Sequence, residues 1–282
     1  QHAQTNTSSG LVWVTRPNLT FQLAPKGCPI NNFRMPQEIL YVQYTNPAAY
    51  PPLEHSSRIL ADRGWKVRFL GTGSQGQADS FRFPPHPNIE VRLWRYRPPG
   101  LAQKIQFVLF TIWTIACAWR WRIRWIYASD HFACPAARLA QRILGCDVIY
   151  HEHDSPPCAG AAGRSGPPLS AFMRLLLRSR QSLARLARAC VLPNAHRIEE
   201  FRTETGAENV LLVWNCPERR EVAPPPSREW RPRLFYHGSL NAARLPFSVL
   251  EALASLPDVE LDFAGYTTID NDGFLAGFLD EA

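Results

Sequence analysis

At 282 residues the chain has room for two domains of ordinary size, and a composition of 45% hydrophobic and 20% charged residues excludes a disordered or low-complexity protein. The formal net charge of +7 includes two acid-free basic stretches, Glu90 to Asp130 and Asp154 to Glu199, which point to an anionic partner. Seven cysteines, odd in number and never spaced as CxxC, exclude a disulfide framework and a zinc knuckle and fit a cytoplasmic location.

Residues 1–34 are polar, proline-bearing and free of apolar periodicity. They are expected to form a disordered or non-native extension and not a signal peptide. From Met35 the pattern alternates. "EILYVQY" (38–44) reads as a buried strand, "LEHSSRILADRG" (53–64) as a helix stopped by glycine, and "WKVRFLG" (65–71) as the next strand. "GTGSQG" (71–76) fits the dinucleotide pattern G-x-G-x-x-G, but the prolines that follow prevent the helix such a site needs, so a flexible loop is expected. "NIEVRLW" (88–94) is a strand.

"IQFVLFTIWTIACAW" (105–119) is nearly continuously apolar and shorter than the roughly 20 residues of a spanning helix. Its position between two strands calls for a crossover helix, and the Trp and Arg residues at its end suit a membrane interface. Buried and membrane-facing readings both stay open here. "WIYAS" (125–129), the helix "CPAARLAQRILG" (134–145) and the strand "DVIYHEH" (147–153) follow. After a Gly/Pro/Ala loop comes a helix over 169–189, with Phe172, Leu176, Leu183 and Leu186 on one face and Arg174, Arg178, Arg185 and Arg188 on a solvated one. "CVLPN" and "NVLLVWN" are short strands, and after "EVAPPPSREWRP" (221–232) the βαβ rhythm restarts at Arg233. The fold class is therefore α/β: a Rossmann-like doubly wound parallel sheet over 35–220, a linker at 221–232, and the start of a second Rossmann-like domain, incomplete, over 233–282.

The densest polar cluster is "HEHD", 151–154. On a strand His151 and His153 share one face and Glu152 takes the other. An HxH pair can bind zinc, but no third ligand motif accompanies it. In an open parallel sheet, ligands bind beyond the carboxyl ends of the strands, where His153 and Asp154 stand, with Ser129, Asp130 and His131 beside them. The cluster is read as the rim of a substrate cleft.

Three stretches, "WIYASDHFACPAARLAQRILGCDVIYHEHDSPP", "VLPNAHRIEEFRTETGAENVLLVWNCP" and "RLFYHGSLNAARLPFSVLEALASLPDVELDFAGY", resemble in order and spacing the family 4 glycosyltransferases of the retaining, metal-independent GT-B type, from about Ile39 to Gly265. The resemblance implies a hexosyltransferase with an acceptor-binding first domain and a second domain that binds a nucleoside diphosphate sugar, the donor, with no cofactor and no metal. It implies catalytic roles for His153 and Asp154 and substrate binding by Asp130 and Glu54. It further implies a diphosphate loop at Gly238 and Ser239, with Arg244 as a phosphate clamp. The expected acceptor is a glycan or a lipid-linked sugar, in cell-surface polysaccharide synthesis. The expected location is cytoplasmic and peripheral, on the inner face of the plasma membrane against anionic lipid. No nucleic-acid partner is expected, for want of a reader motif.

Three features depart from the family: "YTNPAAYPPLEHSS" stands where a glycine pair usually follows the first strand, Leu245 stands where a lysine usually follows the clamp, and the chain stops before an E-x7-E segment. A C-terminally truncated copy is therefore expected, with a non-catalytic binding module that keeps only the acceptor-domain fold as the alternative.

Overall fold

The computed structural model describes residues 37–156, 170–216, 232–267 and 273–281. All belong to one unit, Pro36–Ala282; the expected extension at 1–34, most of the loop at 156–168 and most of the linker at 221–232 lie outside the described residues.

Seven parallel strands form the main sheet: β1 (Glu38–Gln43), β2 (Lys66–Thr72), β3 (Ile89–Trp94), β4 (Trp125–Ser129), β5 (Asp147–His151), β6 (Ala189–Leu192) and β7 (Val210–Leu212). Their order is β3-β2-β1-β4-β5-β6-β7, so the chain reverses direction across the sheet between β1 and β4. The crossovers are α1 (Pro51–Asp62), α2 (Leu101–Arg120), α3 (Asp130–Leu144), α4 (Ala171–Leu186) and α5 (Ala195–Thr205).

The strands read as continuous apolar runs because both faces are covered. Alternate residues of β1 divide accordingly: Leu40 and Val42 join Phe110, Ala137, Leu183 and Phe201 of α2 to α5, whereas Ile39 and Tyr41 join Leu53 and Ala61 of α1. Local signals set the helix ends. Ser170 and Asn194 accept the Met173 and Arg197 N–H groups as N-caps, and α3 and α5 stop at left-handed Gly145 and Gly206.

Several boundaries differ from expectation. α3 begins at Asp130 and not at residue 134, and continues through Pro135: the one backbone bond that proline forfeits is offset by burial of Ala133, Cys134, Ala136, Ala137 and Ala140. β5 stops at His151, before His153. Leu186, expected on the apolar face of α4, is exposed, and Arg180 is buried there instead. The "GTGSQG" segment, expected as a flexible loop, opens within β2 and makes hydrogen bonds to its neighbours. The Gly73 N–H donates to the Trp94 carbonyl at 2.7 Å, and Ser74 Oγ accepts the Asn46 N–H at 2.9 Å and bonds to Thr45 Oγ1 at 2.8 Å.

A separate two-stranded parallel sheet is formed by β8 (Arg233–Leu240) and β9 (Glu260–Thr267), with α6 (Ser248–Ala254) and α7 (Phe274–Glu281) around a small core of Leu240, Leu245 and Phe278. Gly238 faces Gly265 across this pair. A Cβ on Gly265 would overlap the Gly238 carbonyl oxygen, so this pairing requires glycine.

Candidate functional site

The reversal point of the main sheet lies between β1 and β4, and there the carboxyl ends of β1, β4 and β5 present Gln43, Ser129, Asp130 and the 151–154 segment. Asp130 sits in the left-handed region (φ 61°), which turns the chain sharply from β4 into α3. Its Oδ1 accepts the His153 N–H at 2.9 Å and so ties the β5 loop to the β4 end. Burial pushes its carboxyl up to about 6, opposed by the His153 N–H and by the Gln43 amide.

His153 is fixed on several sides. Its Nε2 pairs with Ser129 Oγ at 3.0 Å, and its ring lies 5.4 Å from Tyr50 and 3.9 Å from His151, centroid to centroid. Burial lowers its imidazole to about 4, assisted by Arg197 and resisted by Asp154, so it is neutral at pH 7. His151 lies beneath it, nearly inaccessible, with Nδ1 paired to the Tyr127 hydroxyl at 2.5 Å. Burial, then His153 and Arg197, bring His151 down to about 3. Two imidazoles in tilted contact, both kept neutral by burial, form a ledge that can hydrogen-bond without adding charge.

Behind this ledge is a buried ion network. Glu152, 1% exposed, accepts the Tyr150 hydroxyl at 2.6 Å, Arg180 Nε at 2.5 Å and Nη2 at 2.9 Å, and Arg197 Nη2 at 3.1 Å. Arg197 also donates Nη1 to the His153 carbonyl at 2.6 Å, and Arg180 donates to Glu204 at 2.9 Å. The backbone of residue 153 is thereby held through its N–H by Asp130 and through its C=O by Arg197. Two hollows adjoin the crevice. One, of about 640 Å³, opens below His153 and is lined by Tyr50, His55, Tyr127, Asp154 and Trp214 among others. The other, of about 190 Å³, lies at the ends of β1 to β3 beside Tyr44, Ser74, Tyr96 and Gln103.

The structure brings three of the sequence-predicted residues together, His153, Asp154 and Asp130. Glu54 lies on α1, where it pairs with Arg58 at 3.5 Å, and it lines neither hollow. Gly238 and Ser239 stand within β8 and not in a loop after it, because the ladder continues to Leu240 opposite Thr267. Arg244 is exposed in the following turn, with its N–H donated to Asn241 Oδ1 at 3.1 Å. Among the described residues no group of three His, Cys, Asp or Glu side chains is placed to hold a metal ion.

Sequence reasoning missed Arg180, Arg197, Tyr127 and Gln43. Arg197 was accessible through the Asn194 cap and the Gly206 stop, which mark a helix over 195–205. Arg180 shares the apolar stripe of Leu176 and Leu183 and could have been noticed as the cation on the wrong face.

Over residues 53–217 the sequence matches the glycosyl transferase 4-like domain. No curated protein matches the chain in sequence. Among solved structures, Anabaena HepE in complex with UDP is similar with a TM-score of 0.60 and 16% identity, over 86% of this chain and 65% of that one. The sucrose-phosphate synthase of Thermosynechococcus elongatus is similar with a TM-score of 0.66 and 11% identity, over 87% of this chain and 68% of that one. Anabaena HepE in complex with UDP-glucose gives a TM-score of 0.56 at 16% identity, over 86% and 65% of the two chains. The chain thus spans just under two thirds of HepE, and the likeness at these identities is one of fold.

Proposed function

The chain belongs to the glycosyl transferase 4-like family, and from that premise we propose that it transfers a hexose from a nucleoside diphosphate sugar to a glycan or lipid-linked acceptor, with retention, in cytoplasmic steps of cell-surface polysaccharide synthesis. The observation behind this reading is the neutral His153 at the reversal point of the sheet, its backbone clamped by Asp130 and Arg197. A group held on both sides loses little freedom when substrate arrives, and a neutral imidazole offers a hydrogen bond to a sugar hydroxyl without repelling a cationic transition state.

In this reading His153 bonds the transferred sugar beside the bond that breaks, and Asp154 lies next to it at the mouth of the larger hollow. Asp130 positions His153 through its N–H. The departing diphosphate gathers negative charge, and Arg244 with the N–H groups around Gly238 and Ser239 is proposed to stabilise it. The acceptor occupies the crevice at the ends of β1 to β3.

The test is a panel of labelled nucleoside diphosphate hexoses with membrane lipid extract as acceptor, scored for nucleoside diphosphate release and labelled product. His153→Ala is expected to lower turnover by about tenfold to a hundredfold, at about 1.4 kcal/mol per decade. His151→Ala is expected to act less, because His151 supports the ledge from below. Absence of release with every donor, together with absence of donor binding by calorimetry, would favour a non-catalytic module.

A further inference from the structure

α2 presents two different faces. Phe107, Phe110, Thr111, Thr114, Cys117 and Ala118 are buried against the sheet and its neighbours. On the opposite side, at helical spacing, stand Leu101, Ile105, Val108, Leu109, Ile112 and Trp119, exposed by 74% at Leu101, 57% at Ile112 and 72% at Trp119. The strip runs for about 27 Å at 1.5 Å per residue. A continuous apolar strip of this length on the surface of a soluble domain is unusual and marks a contact surface.

The ends of the strip identify what covers it. At its start an open hollow of about 470 Å³ is lined by Arg95, Arg97 and Trp94 together with Ile105 and Leu109. At its far end a hollow of about 540 Å³ is lined by Arg120, Arg122 and Trp119. No carboxylate lines either hollow, and among the described residues none of these four arginines pairs with an acid. Much of the second acid-free basic block is engaged, Arg180 and Arg197 with Glu152, Arg188 with Asp147 and Arg185 with the Thr205 carbonyl, while Arg178 is exposed on α4. On α2, arginines without an acid partner flank the exposed apolar strip at both ends. Arginine and tryptophan flanking an apolar strip match the headgroup and acyl layers of a bilayer surface.

We propose that α2 is an in-plane membrane anchor, which lays its outer strip into the surface of a bilayer containing anionic phospholipid, with the two arginine hollows taking lipid phosphates. The helix is long and apolar enough to cross a membrane by length and composition. It does not span, because it joins β3 to β4 of one sheet and its inner face is part of that sheet's core. Gln103 and Gln106 in its first turns line the smaller hollow of the crevice, so this docking places the crevice mouth at headgroup level. The anchor rests on α2 and the arginines at its two ends, and stands or falls independently of the proposed transfer reaction.

The experiment is co-sedimentation of the whole chain with vesicles of phosphatidylcholine alone or mixed with phosphatidylglycerol. Binding to the mixed vesicles is expected, weaker on the neutral ones and falling as salt rises. Ile112→Asp and Val108→Asp, both at exposed positions, should lower partitioning at least about tenfold with an unchanged thermal melt. Arg120→Ala with Arg122→Ala should lower it about fivefold per charge removed. Equal binding to both vesicle types, or undiminished binding by the Asp variants, would overturn the proposal. So would resistance to both high salt and alkaline carbonate, which means a spanning helix. Self-association abolished by Ile112→Asp in the absence of vesicle binding would overturn it in favour of a second copy of the chain.

Discussion

Removing Arg180 should destabilise the protein more than removing Arg197, although both pair with the same carboxylate. Arg197→Met deletes one contact to Glu152 at 3.1 Å and the 2.6 Å bond to the His153 carbonyl, and it leaves Glu152 neutralised by the two Arg180 bonds. The loss is then that of two charge-assisted hydrogen bonds, about 3 kcal/mol. Arg180→Met removes both Arg180 bonds to Glu152 and the bond to Glu204, leaving a nearly inaccessible carboxylate with one peripheral cation. Breaking a buried pair in this way costs about 4 kcal/mol. For a domain of this size each kcal/mol corresponds to about 3 °C in Tm, so the expected falls are about 9 °C and about 12 °C. Differential scanning calorimetry at pH 7.5 reads both directly. Nuclear magnetic resonance of the histidine rings adds a second readout. Arg197 helps hold His153 down at about 4, so Arg197→Met should let that value rise. Equal Tm losses in the two variants, or a fall of under about 3 °C for Arg180→Met, would refute the reading of Glu152 as a buried charge held mainly by Arg180.

The acid side of the stability profile should be governed by the two adjoining histidines, His151 and His153. Their folded values of about 3 and about 4 lie below the ordinary 6.5, so the stability they confer is complete above 6.5 and is lost as pH falls towards 4. Asp130 works in the opposite sense, since its folded value near 6 lies above its ordinary 3.8 and favours the fold as pH falls through that interval. Asp130→Asn should therefore steepen the loss of Tm between pH 6.5 and 4, and a shallower profile would contradict the assignment. Chelator treatment is expected to leave transfer unchanged, and loss of transfer restored by zinc would revive a metal role for the histidine pair. Gly265→Ala should destabilise the β8–β9 pair selectively, seen as faster amide exchange in 233–267 with protection of β1 to β7 retained, because the added methyl meets the Gly238 carbonyl.

Much of the site was legible in the order of residues. The apolar runs of β1 and β5, the glycine stops at Gly145 and Gly206, and the placing of polar residues directly after apolar strands are local properties. They follow from backbone sterics and from which side chains tolerate burial, so the parallel sheet and the rim containing His153, Asp154 and Asp130 could be read without coordinates. Tertiary structure decided which partners these residues met. Glu152 is joined to arginines 28 and 45 residues away, and although helical spacing puts Arg180 on the stripe of Leu176 and Leu183, nothing local says which carboxylate it meets there. The same holds for α2. Its composition is compatible with a buried helix or a membrane-facing one, and only its packing in the fold buries one side and leaves the other bare. Local sequence fixes what a segment can bury, whereas the packing of distant segments determines what it does bury, because desolvation and ion pairing depend on groups that only the completed fold brings together.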